Sequence, residues 1–481
     1  MKNSIRLLAV ILLTSLGFQS CKQDDIVTPS NDSQEVSNSS TATSSAVNSW
    51  IYSVMEEAYY WAANLPAKST LDASSSSFDY FEKLIYNRET VDRFSALTDN
   101  YDELLNSFNG VNKVYGIRYT VAETQTGSGK LGLFLSDVLL GSPAETAGLK
   151  RGDVIVAIDG NQITEDNFFS LFQSGDTHEF QLGTWQNGVW TGGAKATITR
   201  AVVNENPVAF SSVLTLPASG RKMGYLLYNQ FIPGSDENSS SYDDRLRSIF
   251  GEFKTAGVEE LVLDLRFNGG GYISSAEVLA SLISGNAKAS DVFYKEKWNA
   301  TYESYFAQAY GQDYFNHSFL NETNSIGNQL SRVFVFTSHS TASASELIIN
   351  GLKPYIEVIT IGENTYGKNL FGSLVKDTST GSGYGIYVML GETTNALGVS
   401  DYGTINGITP TYTVIDDLIP YEPIASFNET LLKKALEVMG ETTQTMARYS
   451  KGTQINRISK YTFKDNQELP MGKMIRDFKP Q

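Results

Sequence analysis

The 481-residue sequence contains one cysteine and three histidines, and it has fewer basic than acidic residues. Cys21 alone cannot form an intramolecular disulfide, so stability must come from buried apolar cores. Together with the scattered His178, His317 and His339 it makes no metal-ligand cluster, and we predict no metal or other cofactor. With 37 basic and 53 acidic residues the formal net charge is −16, which excludes a nucleic acid partner because its phosphates would be repelled.

The apolar run at the N-terminus, residues 7–16, is too short to cross a bilayer. It follows the basic residues Lys2 and Arg6 and ends shortly before Cys21. This order resembles a bacterial lipoprotein signal, in which the cysteine becomes the lipidated N-terminus; the alternative is an ordinary signal peptide with an incidental cysteine. The letters KQDD after the cysteine are similar to the export tag of surface lipoproteins in the Bacteroidetes. We therefore predict a cell-envelope lipoprotein that is anchored to the outer membrane and faces the periplasm or the cell surface.

Hydrophobic periodicity divides the rest of the chain into segments. After the signal peptide and lipobox in residues 1–21, residues 22–48 are rich in Ser, Thr and Asn and predict a flexible tether. Residues 49–109 show apolar residues at helical spacing, which predicts a small domain of about three helices. Residues 201–440 alternate strands with helices, which predicts an α/β core with a largely parallel sheet. Residues 441–481 are polar and weakly patterned, so we predict a peripheral or partly disordered extension.

Residues 141–164, GSPAETAGLKRGDVIVAIDGNQIT, carry an ordered set of local signals. A proline can open a short helix, a glycine can close it, and an alternating strand follows the RGD turn. The segment resembles the second half of a PDZ domain, to which we assign residues 110–200. The resemblance implies that Tyr115, Gly116 and Ile117 form a loop whose backbone N–H groups bind a peptide C-terminus, while the peptide adds a strand to the sheet. A β-rich module without a ligand is the alternative.

Two loops of the predicted α/β core follow buried strands, where functional groups gather in such sheets. In the first, residues 268–271, glycines allow backbone N–H groups to point at a ligand, although a sharp turn is the commoner use of a triple glycine. The second, TSHSTASAS at residues 337–345, opens a helix and places hydroxyls near free backbone donors. A serine nucleophile needs a base, and no G-x-S-x-G elbow accompanies the histidines. Burial would lower the pKa of Lys368 and make it a base, whereas a lone Gly-Lys is more often a solvated surface lysine.

Taken together, these stretches resemble the C-terminal processing, or tail-specific, serine protease family. The family's Ser-Ala-Ser-Ala-Ser-Glu motif aligns with residues 341–346, where Thr341 stands in place of the first serine, and it implies that Ser343 is the nucleophile. Its Phe/Tyr-Gly-Lys motif matches YGK and implies that Lys368 is the base. Residues 93–99, RFSALTD, and residues 407–414, GITPTYTV, are similar to further landmarks of the family.

The glycine loop fits the same family. The family's Asp-Leu-Arg-x-Asn-x-Gly-Gly loop matches residues 264–271, and it implies an oxyanion donor at Gly270 or Gly271 beside the N–H of Ala344. A helical N-terminus, a PDZ domain and a crotonase-like α/β core occur in the family's order over about residues 50–440. The expected fold is therefore a multidomain α/β protein with these three parts.

The resemblance implies a serine endopeptidase with a Ser–Lys dyad and no cofactor, whose PDZ domain binds the C-terminal tail of a protein or peptide substrate. Two departures favour a divergent lipoprotein branch. Many members carry a glutamine that orients the lysine; here Gly372 takes that position, with Asn369 and Ser373 as candidate substitutes. The family's Gly-Ile-x-Pro-Asp landmark has Thr411 in place of Asp. The alternatives are a weak or inactive member that binds peptide tails or hydrophobic ligands, and an esterase that uses the same serine.

Overall fold

A computed structural model of the chain describes residues 43–186, 189–235, 238–419, 421–441, 453–454, 457, 463–464 and 472–476. The predicted signal peptide, the lipidation site Cys21 and most of the predicted tether lie outside these residues. Within the described ranges, no helix is both long enough and apolar enough to cross a membrane.

The N-terminal domain has the three helices that the periodicity predicts. Its elements are α1 (Ser44–Ala58), α2 (Ser77–Glu82), β1 (Ala96–Thr98) and α3 (Tyr101–Phe108). Helix α1 begins inside the predicted tether because Val47 is buried and the Asn48 amide donates to the Ala73 and Ser75 carbonyls at 3.0 and 2.9 Å. These contacts give polar residues near the helix start a fixed place in the fold.

The PDZ domain is an antiparallel sheet with two short helices. Its elements are β2 (Val111–Val114), β3 (Ile117–Glu123), β4 (Leu131–Val138), α4 (Pro143–Thr146), β5 (Val154–Ile158), β6 (Asn161–Gln162), α5 (Phe168–Gln173), β7 (Thr177–Gln186), β8 (Val189–Thr199) and β9 (Ala201–Asn204). The strands pair in the order β3-β4-β5-β7-β8, while β2 pairs with β9. Leu133, Ile155 and Phe180 lie fully buried in its core.

Most described strands of the α/β core lie in two sheets, and the short strand Leu418–Ile419 pairs separately with a strand of the C-terminal extension. Its elements are β10 (Val208–Thr215), β11 (Lys222–Tyr228), α6 (Ser241–Ala256), β12 (Glu260–Asp264), β13 (Gly270–Tyr272), α7 (Ile273–Ile283), β14 (Val292–Trp298), α8 (Ala300–Tyr310), β15 (Asn316–Ser318), β16 (Arg332–Thr337), α9 (Ala344–Leu352), β17 (Glu357–Gly362), β18 (Leu370–Lys376), β19 (Gly385–Asn395), β20 (Tyr412–Thr413), β21 (Leu418–Ile419) and α10 (Thr430–Met439). The first sheet has the order β10-β11-β12-β16-β17-β20 and is parallel from β11 to β20, as the strand–helix alternation predicts. Because β12 and β16 are parallel neighbours, the loops that follow them meet at one edge of the sheet.

The described parts of the C-terminal extension form strands: β22 (Thr453–Gln454), β23 (Phe463–Lys464) and β24 (Lys473–Ile475). Strand β24 lies inside the second sheet, whose order is β13-β24-β18-β19-β14-β15. Met474 is fully buried, so the predicted peripheral extension is wrong for this segment. Two adjacent apolar residues in a polar stretch carry no periodicity, and the packing of this strand depends on partners far away in the sequence.

Candidate active site

Ser343 is the N-cap residue of α9, at the end of the loop that follows β16. Its φ of 64° and ψ of −111° form a conformation that residues with a Cβ rarely adopt. The Ser343 N–H donates to Glu346 Oε2 at 2.7 Å. The side chain is fully buried, and its Oγ has no hydrogen-bond partner among the described residues. A strained residue with an unpaired buried hydroxyl indicates a functional position.

The loop around Ser343 is tied to the glycine loop after β12. The Thr341 hydroxyl donates to the Leu265 carbonyl at 2.8 Å, and the Ser345 hydroxyl donates to the Asn268 carbonyl at 3.1 Å. The Ala342 N–H also donates to the Asn268 carbonyl, at 3.0 Å. The small hydroxyl residues of the motif therefore fix the serine against the predicted oxyanion loop.

Of the predicted oxyanion donors, Gly270 lies directly against the serine. A Cβ on Gly270 would lie 2.9 Å from the Ser343 Cβ, and its φ of 99° also favours glycine. The Gly270 N–H donates to Asn268 Oδ1 at 2.8 Å, so it already has an acceptor. Gly271 follows in β13, and Ala344 is the first residue of α9, where helix N–H groups have no intrahelical acceptor.

Lys368 is fully buried in the loop between β17 and β18. Its Nζ donates to the Tyr387 hydroxyl at 2.9 Å and to the Gly472 carbonyl at 2.8 Å. The same Nζ lies 4.7 Å from the Tyr387 ring centroid and 5.1 Å from that of Phe94. The predicted base is thus enclosed by aromatic rings and has two defined polar partners.

Burial lowers the pKa of Lys368 well below its ordinary value. The Asp92 and Glu346 carboxylates act against this shift, and the Arg93 guanidinium adds to it. A lysine with a depressed pKa has a larger neutral fraction near neutral pH, and only the neutral amine can accept a proton. The predicted surface lysine, the alternative for an isolated Gly-Lys, is excluded by the burial.

Glu346 connects the serine helix to the lysine loop. Its Oε2 accepts the N–H groups of Ser343 and Lys368, at 2.7 and 2.8 Å. Its Oε1 accepts the Gly367 N–H at 2.7 Å and the Thr365 hydroxyl. Burial raises the pKa of Glu346 to about 7, although these four donors favour the carboxylate. The sequence motif contains Glu346 but does not indicate its role. A glutamate three residues after a serine N-cap is the pattern of a capping box, and this pattern could have predicted its bond to the Ser343 N–H.

Neither candidate substitute for the missing glutamine contacts the lysine amine. The partners of Lys368 Nζ are a tyrosine and a backbone carbonyl, and Asn369 and Ser373 are not among them. The Asn369 amide donates instead to Glu392 and to Ser400, each at 2.9 Å. Among the described residues, the lysine amine is therefore held by Tyr387 and Gly472 and by neither of these two neighbours.

Tyr387 is the residue that sequence reasoning missed. It lies on β19, and its hydroxyl is one of the two hydrogen-bond partners of Lys368 Nζ. A Cβ on Gly372 would lie 2.9 Å from the Tyr387 ring and 2.5 Å from the Val388 carbonyl. Glycine at this position therefore leaves room for the tyrosine that contacts the lysine. In the sequence, Tyr387 is one more apolar residue of a buried strand, and no local signal distinguishes it.

The two segments that resemble family landmarks, residues 93–99 and 407–414, contact the loop that carries Lys368. Arg93 donates to the Gly367 carbonyl at 2.7 Å and stacks on the Tyr366 ring at 5.1 Å. The Ile408 N–H donates to the Thr365 hydroxyl at 2.7 Å. The N-terminal domain and the segment around residues 407–411 thus both position the backbone beside Lys368. Thr411, which replaces the family's Asp, pairs with Thr360 on β17.

The predicted PDZ loop connects β2 to β3. Tyr115 and Ile117 are fully or almost fully buried, and the Tyr115 carbonyl accepts the Ala144 N–H at 2.9 Å. Gly116 has a φ of 92°, and a Cβ there would lie 2.1 Å from the Ser142 Cβ. The loop therefore packs closely against the N-terminus of α4, an approach that requires glycine.

The three histidines lie beside carboxylates and not beside Ser343 Oγ: His178 by Asp159, His317 by Glu296 and His339 by Glu363. Across the described part of the chain, no group of three or more His, Cys, Asp or Glu side chains is arranged to hold a metal ion. Lys368 is thus the basic group that the folded chain brings to the serine loop.

Comparison with known proteins gives three domain matches. The peptidase S41 N-terminal domain matches residues 46–96, a PDZ domain matches residues 134–180, and peptidase family S41 matches residues 222–414. A crystal structure of a Bacteroides fragilis protein assigned to the S41 proteases superposes with a TM-score of 0.68 and 29% identity, covering 82% of this chain and 97% of that one.

Curated relatives give the same result. The chain is 27% identical to the chloroplastic C-terminal processing peptidase of Tetradesmus obliquus, over 55% of this chain and 53% of that one. It is 26% identical to the carboxyl-terminal-processing protease of a Synechocystis strain, over 63% of each chain. The matches thus span between half and two thirds of these relatives' length. The chain belongs to peptidase family S41 and combines that family's N-terminal domain, a PDZ domain and the peptidase core.

Proposed function

We propose that this protein is a serine endopeptidase in which Ser343 is the nucleophile and Lys368 is the general base. One observation carries the proposal: Glu346 Oε2 accepts the backbone N–H groups of both residues, at 2.7 and 2.8 Å. Two residues whose amides reach the same oxygen atom are held side by side. The side chain of one offers an unpaired hydroxyl, and that of the other offers an amine whose pKa is lowered by burial.

The chemistry follows from this pair. The neutral Lys368 amine accepts the Ser343 hydroxyl proton as Oγ attacks the carbonyl carbon of the scissile peptide bond, and it later donates that proton to the leaving amine. Tyr387 positions the amine by accepting one of its N–H groups. The lysine thus performs the task that a histidine performs in other serine hydrolases.

The oxyanion that forms on the substrate requires backbone donors beside Ser343. Ala344 opens α9, so its N–H lies at the positive end of the helix dipole. Gly270 and Gly271 are the candidates for the second donor of the hole: the Gly270 N–H is bonded to Asn268, and Gly271 lies in the backbone pairing between β13 and β24. Both donors lie within the loops that Thr341 and Ser345 hold together.

The PDZ domain and the names of the relatives support substrates that are recognised through their C-terminal tail. A polypeptide tail would bind at the loop of Tyr115, Gly116 and Ile117 and pair with β3, and it would deliver the chain to Ser343. An anchor on Cys21 would place this activity on the cell-envelope membrane. A Cys21→Ala variant that stays in the membrane fraction would contradict the anchor.

Replacing Ser343 with alanine tests the peptidase. We expect cleavage of an unstructured peptide with an apolar C-terminus to fall by about 10³-fold or more in Ser343→Ala and in Lys368→Ala. Ser340→Ala, a serine of the same loop, is the matched control and should retain activity. Undiminished cleavage by Ser343→Ala would refute the assignment, and an active-site serine probe that fails to label the wild type would favour a binding protein. Parallel assays on an aryl ester separate peptidase from esterase.

A further inference from the structure

The C-terminal strand β24 fills a gap in the sheet beside the active site. It is parallel to β13, which carries the predicted oxyanion glycines, and to β18, which follows Lys368. In the sheet order it separates these two strands. Pairing of an extended peptide with a strand is a recurrent mode of peptide recognition, and β24 pairs in this way with a strand on each side.

The backbone of this segment, residues 472–476, bonds to the groups that the proposed mechanism uses. The Gly472 carbonyl accepts from Lys368 Nζ at 2.8 Å. Tyr387 contacts Met474 twice: its hydroxyl donates to the Met474 carbonyl at 2.9 Å and accepts the Met474 N–H at 3.1 Å. The Lys473 N–H donates to the Gly269 carbonyl at 2.8 Å. The tail therefore binds to the lysine, to its positioning tyrosine and to the glycine loop.

One tail carbonyl lies beside the nucleophile. A Cβ on Gly270 would lie 2.2 Å from the Lys473 carbonyl oxygen and 2.9 Å from the Ser343 Cβ, so both atoms lie on the same side of Gly270. With the tail in place, Ser343 and Lys368 have no exposed surface. Because Lys368 Nζ donates to Gly472 and Ser343 Oγ has no partner in the described part of the chain, the dyad hydrogen bond is absent in this arrangement.

The side chains of the segment are also bound. Met474 is fully buried, and Ile475 packs in the apolar cluster that contains Tyr387. Arg476 Nε lies 3.1 Å from a carboxylate oxygen of the buried Glu296. The segment is therefore held by its side chains as well as by its backbone.

The C-terminal extension also pairs with strand β3 of the PDZ domain. Phe463 and Lys464 pair antiparallel with Tyr119 and Arg118 on β3. Later residues of the tail lie opposite earlier residues of β3, so the chain runs toward Gly116, the direction expected of a peptide whose C-terminus binds there.

We propose that the C-terminal tail is an internal ligand that occupies two places together, the pairing edge of β3 in the PDZ domain and the catalytic cleft, which is the space between β13 and β18 beside Ser343 and Lys368. A substrate tail must displace it before cleavage. The inference rests on the proposed function insofar as the cleft is the peptidase site. The tail acts as an inhibitor and not as a substrate, because its Gly472 carbonyl engages the amine that must accept the serine proton.

Peptide binding tests this without bond cleavage, so its failure is distinguishable from a failure of the proposed peptidase. In a Ser343→Ala background, a fluorescent peptide MGKMIRD, the sequence of residues 471–477, is titrated against the parent and against Met474→Asp. An aspartate cannot occupy the buried Met474 site, so we expect the peptide to bind at least about tenfold more tightly, since apparent affinity scales with the open fraction. Leu397→Asp, at a side chain 75% exposed, makes the same charge change and should not alter binding. Equal affinity of the parent and Met474→Asp would overturn the inference.

A reversible crosslink provides the second measurement. Tyr272 and Ile475 are paired in register on β13 and β24, so cysteines there would lie at a spacing that a disulfide can span. In a Cys21→Ser background, the Tyr272→Cys, Ile475→Cys protein should crosslink on mild oxidation, lose peptide binding and recover it on reduction, whereas each single variant should not respond. No crosslink, or loss of the tail from the wild type by Ser343-dependent cleavage, would overturn the internal-ligand role.

Discussion

Ser343 and Lys368 are both fully buried, yet the chain positions them in different ways. Ser343 is placed by its own backbone, at a helix N-cap with a φ of 64°, and its hydroxyl has no partner among the described residues. Lys368 is placed by side chains and backbone from elsewhere: Phe94 in the N-terminal domain, Tyr387 on β19 and Gly472 in the tail.

Because of this difference, we expect the position of Ser343 to be fixed and the position of Lys368 to be open to regulation. A residue held by consecutive backbone atoms keeps its position whenever α9 is folded. A residue held by distant segments depends on each of them, and one of these is a tail that competes with substrate. We therefore expect changes on the serine side to affect chemistry or stability, and changes on the lysine side to affect the proton transfer and its control.

Glu346→Gln should disturb the positions of both Ser343 and Lys368, and we expect it to have the largest effect of the variants below. Each carboxylate oxygen accepts two donors, so an amide nitrogen at either position would face donors that it cannot accept. We expect kcat/KM for peptide cleavage to fall by about 100-fold, because a buried network is disrupted next to the reacting atoms. Glu357→Gln, at an exposed glutamate, is the matched control. A loss smaller than tenfold would mean that the serine and the lysine are held independently.

The same variant has a pH signature in stability. The pKa of Glu346 is about 7 in the folded protein against 4.5 ordinarily, so between these values the folded state retains a proton that the unfolded state has lost. The wild-type free energy of unfolding should therefore fall as pH rises from about 4.5 to about 7 and then level off. In Glu346→Gln this component should disappear from denaturation curves measured across that range.

The serine side was predictable from sequence, and the lysine side only in part. The nine residues from Thr337 to Ser345 contain the strand end, the loop and the nucleophile, so a short motif captures them. The strands and helices of the core were predictable for the same reason, since periodicity is local. Tyr387 and Gly472 reach Lys368 through sheet pairing, which no local pattern encodes. The sequence shows that Gly372 replaces the glutamine found in many family members. Only the structure of the neighbouring strand β19 shows that this glycine leaves room for Tyr387.

Tyr387→Phe should affect the lysine side alone. It keeps the ring that packs edge-on against Phe108 at 5.0 Å and removes the hydroxyl that accepts from Lys368 Nζ. We expect cleavage to fall by about tenfold, because the base loses one positioning contact. The acidic limb of the kcat/KM profile should also move to lower pH, since loss of an acceptor disfavours the ammonium form and lowers the lysine pKa further.

This measurement is best made in the Met474→Asp background, where release of the tail no longer contributes to the rate. Tyr384→Phe, at a half-buried tyrosine just before β19, is the control. If activity falls while the pH limb stays in place, Tyr387 supports the strand without positioning the amine.

Comparing Ser343→Gly with Ser343→Ala tests the backbone of the serine side alone, and the stability difference between the two variants is the smallest effect predicted here. Alanine and glycine both remove the nucleophile, but only glycine adopts a φ of 64° with a ψ of −111° without strain. We expect Ser343→Gly to be more stable to urea than Ser343→Ala by about 1 kcal/mol. At Ser345, inside α9, the same comparison should have the opposite sign, because glycine is the poorer helix former there. If alanine is the more stable residue at both positions, the backbone of Ser343 is not strained. The serine would then have to be held in place by its neighbours, as the lysine is.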